Sequence, residues 1–120
     1  MNLSHLSKKL SLLSKNSNHH SHRMAAVVLN KKIPISWSWN EIKTHPRSPT
    51  PWKMCHAEIN ALINLDYEIS KGCTIIVYRE NRNGELAEAK PCSYCEKMIK
   101  DKGIKKVYYT SDNSWKEYYV

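Results

Sequence analysis

With 120 residues, 41% of them hydrophobic, the chain can bury the core of one compact domain but not of two, so a single domain over residues 1–120 is expected. No apolar run approaches the ~20 residues that cross a bilayer, and the amino terminus lacks the continuous apolar stretch of a secretory signal; a cytoplasmic protein with no membrane partner is the expectation. The net charge of +8 is lopsided, with nine Lys/Arg against two acids in Met1–Asn60 and ten against nine in Ala61–Val120, so the first half is expected to attract phosphates, on a nucleotide or a polynucleotide alike.

Leu3, Leu6, Leu10 and Leu13 recur at helical spacing, which predicts an amphipathic helix over the first fifteen residues. The polar run "NSNHHSHR", Asn16 to Arg23, breaks it; His19, His20 and His22 there suit a second metal site, a phosphate grip or a plain polar turn. "MAAVVLN" then reads as a strand covered on both faces, and "IPISWSW" as its return. Pro34 cannot donate to a ladder, so this second strand belongs at an edge or a bulge. "THPRSPTP", Thr44 to Pro51, is a stiff extended loop.

From His56 to about Leu65 a helix is predicted with apolar residues on more than one face, hence buried on several sides. "CTIIVY" is a strand by its β-branched content, and "NRNG" a turn with Asn83-Gly84 suited to positive φ, after which "ELAEAK" returns the chain toward Pro91. Cys92 to Lys102 makes a further helix stopped by Gly103. "IKKVYYTS" and "WKEYYV" close the chain as a hairpin around Asp112-Asn113-Ser114. The sum is a layered α/β domain with one central sheet of about five strands.

Four cysteines in a chain without an export signal argue for metal binding or catalysis over disulfides. Cys73 begins an apolar strand and reads as core, and Cys55, adjacent to His56, as a packed thiol. Two half-motifs remain: "CHAE", with His56 and Glu58, and "KPCSYC", with Cys92 and Cys95, each at a predicted helix start. Taken alone, the cysteine pair also fits a redox CxxC or a structural zinc half-site. Its i, i+3 spacing places both sulfurs on one face of the first turn, where the helix dipole favours thiolates. Two thiolates and one imidazole form a three-ligand Zn²⁺ set with the fourth position left for water, whose pKa such a site lowers toward ~7. Glu58 is the natural proton carrier.

"HAE" followed by "PCSYC" resembles the signature of the cytidine and deoxycytidylate deaminase family, over a stretch from Asn40 to about Ser111. The resemblance implies a three-layer α/β/α cytidine deaminase-like domain with a mixed sheet, one Zn²⁺ per chain held by His56, Cys92 and Cys95, and Glu58 as general acid/base. It also implies that the backbone of Ala57 meets the base edge, that Asn40 on the pocket wall meets the sugar or the base, and that His45 in "THP" lies near it. Where relatives often carry glycine before that asparagine, this chain has "SWSW"; Trp39 and Trp52 stand near the implied pocket. Homo-oligomers are common among relatives, so one is expected here.

Three functions are thereby in view. The leading one is hydrolytic deamination of a cytosine nucleoside or nucleotide (cytidine, deoxycytidine, CMP or dCMP), and the terminal hairpin, similar to that of compact cytidine deaminases, ranks it first. The second is deamination of cytosine or adenine in single-stranded DNA or RNA, consistent with the basic first half, Arg47 and Lys53. The third is a non-catalytic zinc-stabilised binding module, which has no use for Glu58.

Overall fold

The computed structural model describes residues 3–17, 23–40, 56–81 and 83–120. His19, His20, His22, His45, Arg47, Trp52, Lys53 and Cys55 lie outside them. Five strands, β1 (Arg23–Asn30), β2 (Ile33–Trp39), β3 (Thr74–Glu80), β4 (Lys106–Ser111) and β5 (Ser114–Tyr119), form one sheet in the order β2-β1-β3-β4-β5. β1 is antiparallel to both neighbours, β3 and β4 are parallel, and β5 returns antiparallel to β4. This is the mixed five-stranded sheet expected.

Strand alternation assigns the two layers of helix. Ala25, Val27, Leu29, Ile76 and Tyr78 point to one face, where Leu6, Leu10 and Leu13 of α1 (Leu3–Ser14) cover them. Ala26, Val28, Ile75, Val77 and Val107 point to the other, beneath Ala57, Ala61 and Leu62 of α2 (Ala57–Leu62) and Ile99 of α4 (Ser93–Asp101). Because successive side chains in a strand face opposite ways, a strand apolar at every position needs cover on both sides, which the three-layer arrangement supplies.

Pro34 satisfies both of its expectations at once. β2 is an edge strand, and the β1–β2 register shifts at Val28/Leu29, pairing Val28 with Ser36 but Leu29 with Pro34, so the ladder skips Ile35 as a bulge. The terminal hairpin closes through Asp112 and Asn113 at φ 48° and 58°, the left-handed pair that matches strand twist. One helix end differs from the periodicity. α2 ends at Leu62 rather than about Leu65, and a one-turn helix, α3 (Tyr67–Ser70), follows before β3; Asp66 at its N-terminal boundary separates the two turns. α4 stops before Gly103, whose φ of +73° ends the helix as the sequence indicated.

The chain between β3 and α4 does more than turn. The Asn81 carboxamide oxygen accepts from the N–H groups of Asn83 and Glu85, and Gly84 sits at φ +80°. Leu86 then bridges Glu80, Ala87 N–H donates to Arg79 O, Ala89 N–H donates to Thr110 O, and the Thr110 hydroxyl donates to Ala87 O. Asn113 grips Leu86 from both sides, its oxygen accepting the Leu86 N–H and its own N–H donating to Leu86 O. The segment is thus wedged between the diverging ends of β3 and β4, which fixes how Pro91 and Cys92 enter the site.

Candidate active site

His56 and Cys92 are the N-cap residues of α2 and α4, both with extended backbone (φ −68°, ψ 154° and φ −73°, ψ 173°), and neither side chain caps its own helix. An N-cap side chain ordinarily turns back onto the first amides. Here the two turn toward each other: His56 Nδ1 stands 3.6 Å from Cys92 Sγ and 3.1 Å from Cys95 Sγ, and the sulfurs are 3.5 Å apart. The separation of the sulfurs is far beyond a disulfide's ~2.05 Å, and both cysteines are free.

Those three atoms fit a zinc ion. Bond lengths of about 2.3 Å to sulfur and 2.05 Å to nitrogen at tetrahedral angles put donors about 3.6 Å (N···S) and 3.8 Å (S···S) apart. The observed triangle is one face of such a tetrahedron, contracted by a few tenths of an ångström. Among the described residues it is the grouping of His, Cys and acidic side chains able to hold a metal.

Glu58, two residues along α2, is 1% exposed. Its carboxylate accepts from its own backbone N–H and interacts with Cys95, while burial raises its pKa against both; Oε1 has no hydrogen-bond partner among the described residues. Burial also raises the Cys95 thiol, helped by the charges of Glu58 and Cys92. Burial lowers His56, keeping its ring neutral. Glu58 and Cys95, two buried acids raised by desolvation and set beside a neutral imidazole, call for a cation between them.

β2 sets the height of α2 above the sheet. Ser38 donates to Ala57 O at 2.6 Å and Ser36 to Ala61 O at 2.8 Å, while Asn60 Nδ2 returns a bond of 2.7 Å to Trp39 O. Neither serine stood out in the sequence as a site residue, though the alternation in "SWSW" places both on one face. Asn40 is fully buried, and its carboxamide oxygen accepts the Met24 N–H at 2.9 Å, extending the β1–β2 ladder by one rung. The structure therefore gathers His56, Ala57, Glu58, Cys92 and Cys95 and puts Asn40 at the same end of the sheet. His45 lies outside the described residues. Cys73 is buried as expected.

Fold and site together define a class: α/β/α proteins that hold a His/Cys/Cys donor triangle at two facing helix starts beside a buried glutamate. The family model described as the cytidine and deoxycytidylate deaminase zinc-binding region matches residues 1–111, and the chain belongs to that family. Deoxycytidylate deaminases of Homo sapiens and Mus musculus are 37% identical to it over 59 residues, 49% of this chain; the match spans only 28% of those relatives. Among solved structures, the dCMP deaminase of cyanophage S-TIM5 in complex with dCMP and dUMP is similar at a TM-score of 0.62 and 25% identity, over 89% of this chain and 79% of that one. Cytidine deaminase from Burkholderia pseudomallei reaches a TM-score of 0.70 at 13% identity, over 99% of this chain and 93% of that one, a likeness of fold.

Proposed function

We propose that residues 1–120 form one catalytic domain that hydrolytically deaminates a cytosine nucleoside or nucleotide, with dCMP the first substrate to test. The observation that carries this reading is the donor triangle of His56, Cys92 and Cys95 beside a buried glutamate whose Oε1 has no protein partner. A purely structural metal site has no need of that carboxylate, and burying it costs stability.

A zinc ion held by His56, Cys92 and Cys95 supplies the Lewis acidity that brings a water's pKa toward ~7. Glu58 takes a proton from the water that attacks C4 and delivers it to N3 of the base; a second proton follows the same route to the amine, the C4–N bond breaks, and ammonia leaves. The raised pKa of Glu58 suits a group that must hold a proton between the two transfers. Ala57 O is already taken by Ser38, whereas the Ala57 N–H, in the first turn, has no intrahelical acceptor; this N–H is the group to meet the base edge. Asn40 is assigned to the sugar, and His45 to the pocket beyond it. A homo-oligomeric, cytoplasmic enzyme completes the proposal.

The test is ammonia release by zinc-loaded protein from deoxycytidine, cytidine, dCMP, CMP, adenosine and a short single-stranded oligonucleotide. Turnover of the cytosine monomers is expected. Reaction with the oligonucleotide alone, collapsing as salt rises, would transfer the assignment to a nucleic-acid deaminase, and bound zinc without any turnover would favour a binding module.

A further inference from the structure

The helix α2 has six residues, Ala57–Leu62, too few to hold a helix by themselves, so its placement comes from what it packs on. Ala57 and Ala61 are one helical row, about 6 Å apart along the axis. Ser36 and Ser38 are alternate residues of β2, about 6.6 Å apart. The two spacings match closely enough for both hydroxyls to bond at once, Ser38 to Ala57 O at 2.6 Å and Ser36 to Ala61 O at 2.8 Å.

Pro34 sets the phase that makes this possible. Past the bulge, Ser36 pairs with Val28 and Ser38 with Ala26, whose side chains lie on the α2 face, while Trp37 pairs with Val27 and packs on the α1 face. A strand one residue out of register would turn tryptophan toward α2 in place of serine.

The two serines hold different ends of the helix. Ser36 bonds its last turn, whereas Ser38 bonds Ala57, the residue between His56 and Glu58. Ser38 is 7% exposed, so its bond is sheltered from water, and the Ala57 carbonyl has a second lone pair for it beside the one used within the helix. Among the described residues, the contacts of the Glu58 carboxylate are with its own N–H and with Cys95, and Oε1 has none. The carboxylate therefore goes where the first turn of α2 goes, and that turn is fixed to the sheet through Ser38.

Resting on the deaminase reading above, we infer that Ser38 is a positioning residue of the reaction: its hydroxyl fixes the first turn of α2, and through it the Glu58 carboxylate, at the reach that proton transfer to the base requires. A misplacement of about 1 Å costs on the order of 10²-fold in rate. Because proton transfer belongs to the transition state, the loss falls on kcat and leaves KM nearly as it was.

The experiment measures kcat and KM for ammonia release from whichever cytosine monomer wild type turns over, dCMP first, together with zinc content and Tm, in wild type, Ser38→Ala, Ser38→Thr and Ser70→Ala. Ser70 is the control: it is fully buried and donates to Lys102 O at 2.6 Å, a bond of the same kind at the end of α4 away from Cys92. Ser38→Ala is expected to keep its zinc and to lose about 10- to 100-fold in kcat, with KM within about threefold. Ser38→Thr restores the hydroxyl and regains most of kcat. Ser70→Ala lowers Tm as Ser38→Ala does and leaves kcat unchanged. Should Ser38→Ala keep the kcat of Ser70→Ala, lose its activity through KM or through lost zinc, or be matched in its defect by Ser38→Thr, the inference falls while the deaminase reading stands. A wild type that releases no ammonia from any cytosine monomer removes that reading, and the inference with it. If Ser38→Ala does not fold, Ser38→Cys, of similar size with a weak donor, takes its place under the same criteria.

Discussion

Replacing Glu58 by glutamine separates what the carboxylate costs the fold from what it gives the chemistry. The side chain is 1% exposed with Oε1 unpartnered, and a buried polar atom left without a partner costs about 1–3 kcal/mol. Glutamine keeps the volume and the acceptor toward its own N–H, removes the charge facing Cys95, but buries an amide that is itself imperfectly paired, so the net gain in metal-free protein is placed near the lower bound, about 1 kcal/mol. For a domain of this size that is roughly 3–6 °C in Tm. Turnover is expected to fall by about 10²–10⁴, the range of a positioned proton carrier. Calorimetry on chelated protein, ammonia release on zinc-loaded protein, and metal content by mass spectrometry give the three numbers, with zinc expected to stay at one per chain. A variant that melts below wild type while turning over within tenfold of it would refute both halves of this reasoning.

Three further perturbations have definite outcomes. Cys92→Ala opens the donor triangle and is expected to reduce bound zinc to under about a tenth per chain, and chelating wild type is expected to lower its Tm, since ligand binding and folding are coupled at such sites; full zinc in the variant would contradict the ligand set. On the opposite face, Tyr78 donates to Glu80 at 2.9 Å, alongside Ser11 at 3.0 Å, and burial with that bond raises its pKa from 10 to about 12. The folded state thus favours the neutral phenol, a contribution whole below pH 10 and lost as pH rises to about 12. Tyr78→Phe is expected to cost about 0.5–1.5 kcal/mol at pH 8, with urea midpoints of the two proteins converging by pH 11.5; parallel midpoints across that span would remove the bond from the ledger.

Local rules carried much of the fold. The leucine spacing of α1, the doubly apolar β1, Pro34 at an edge with a bulge, the hairpin around Asp112-Asn113-Ser114 and the Gly103 stop each follow from the chemistry of a few adjacent residues, and the structure bears each of them out. The split between Leu62 and α3 was not legible, because a short apolar run reads alike as one buried helix or as two turns, and packing against the sheet and α4 decides. The half-motifs "HAE" and "PCSYC" pointed to the donor set before any coordinate, since residue type and i, i+3 spacing already constrain which atoms can share a metal.

What the sequence by itself determined was the inventory: which residues could donate to a metal, which could carry a proton, and which strands needed cover on both faces. Tertiary structure alone decided that helix starts thirty-six residues apart meet, with His56 and Cys92 at 3.6 Å, that burial raises the Glu58 carboxyl, and that Ser38 anchors Ala57. The physical reason is range. Backbone preference and periodicity act over a few residues, whereas burial, charge and reach depend on what the sheet order brings alongside.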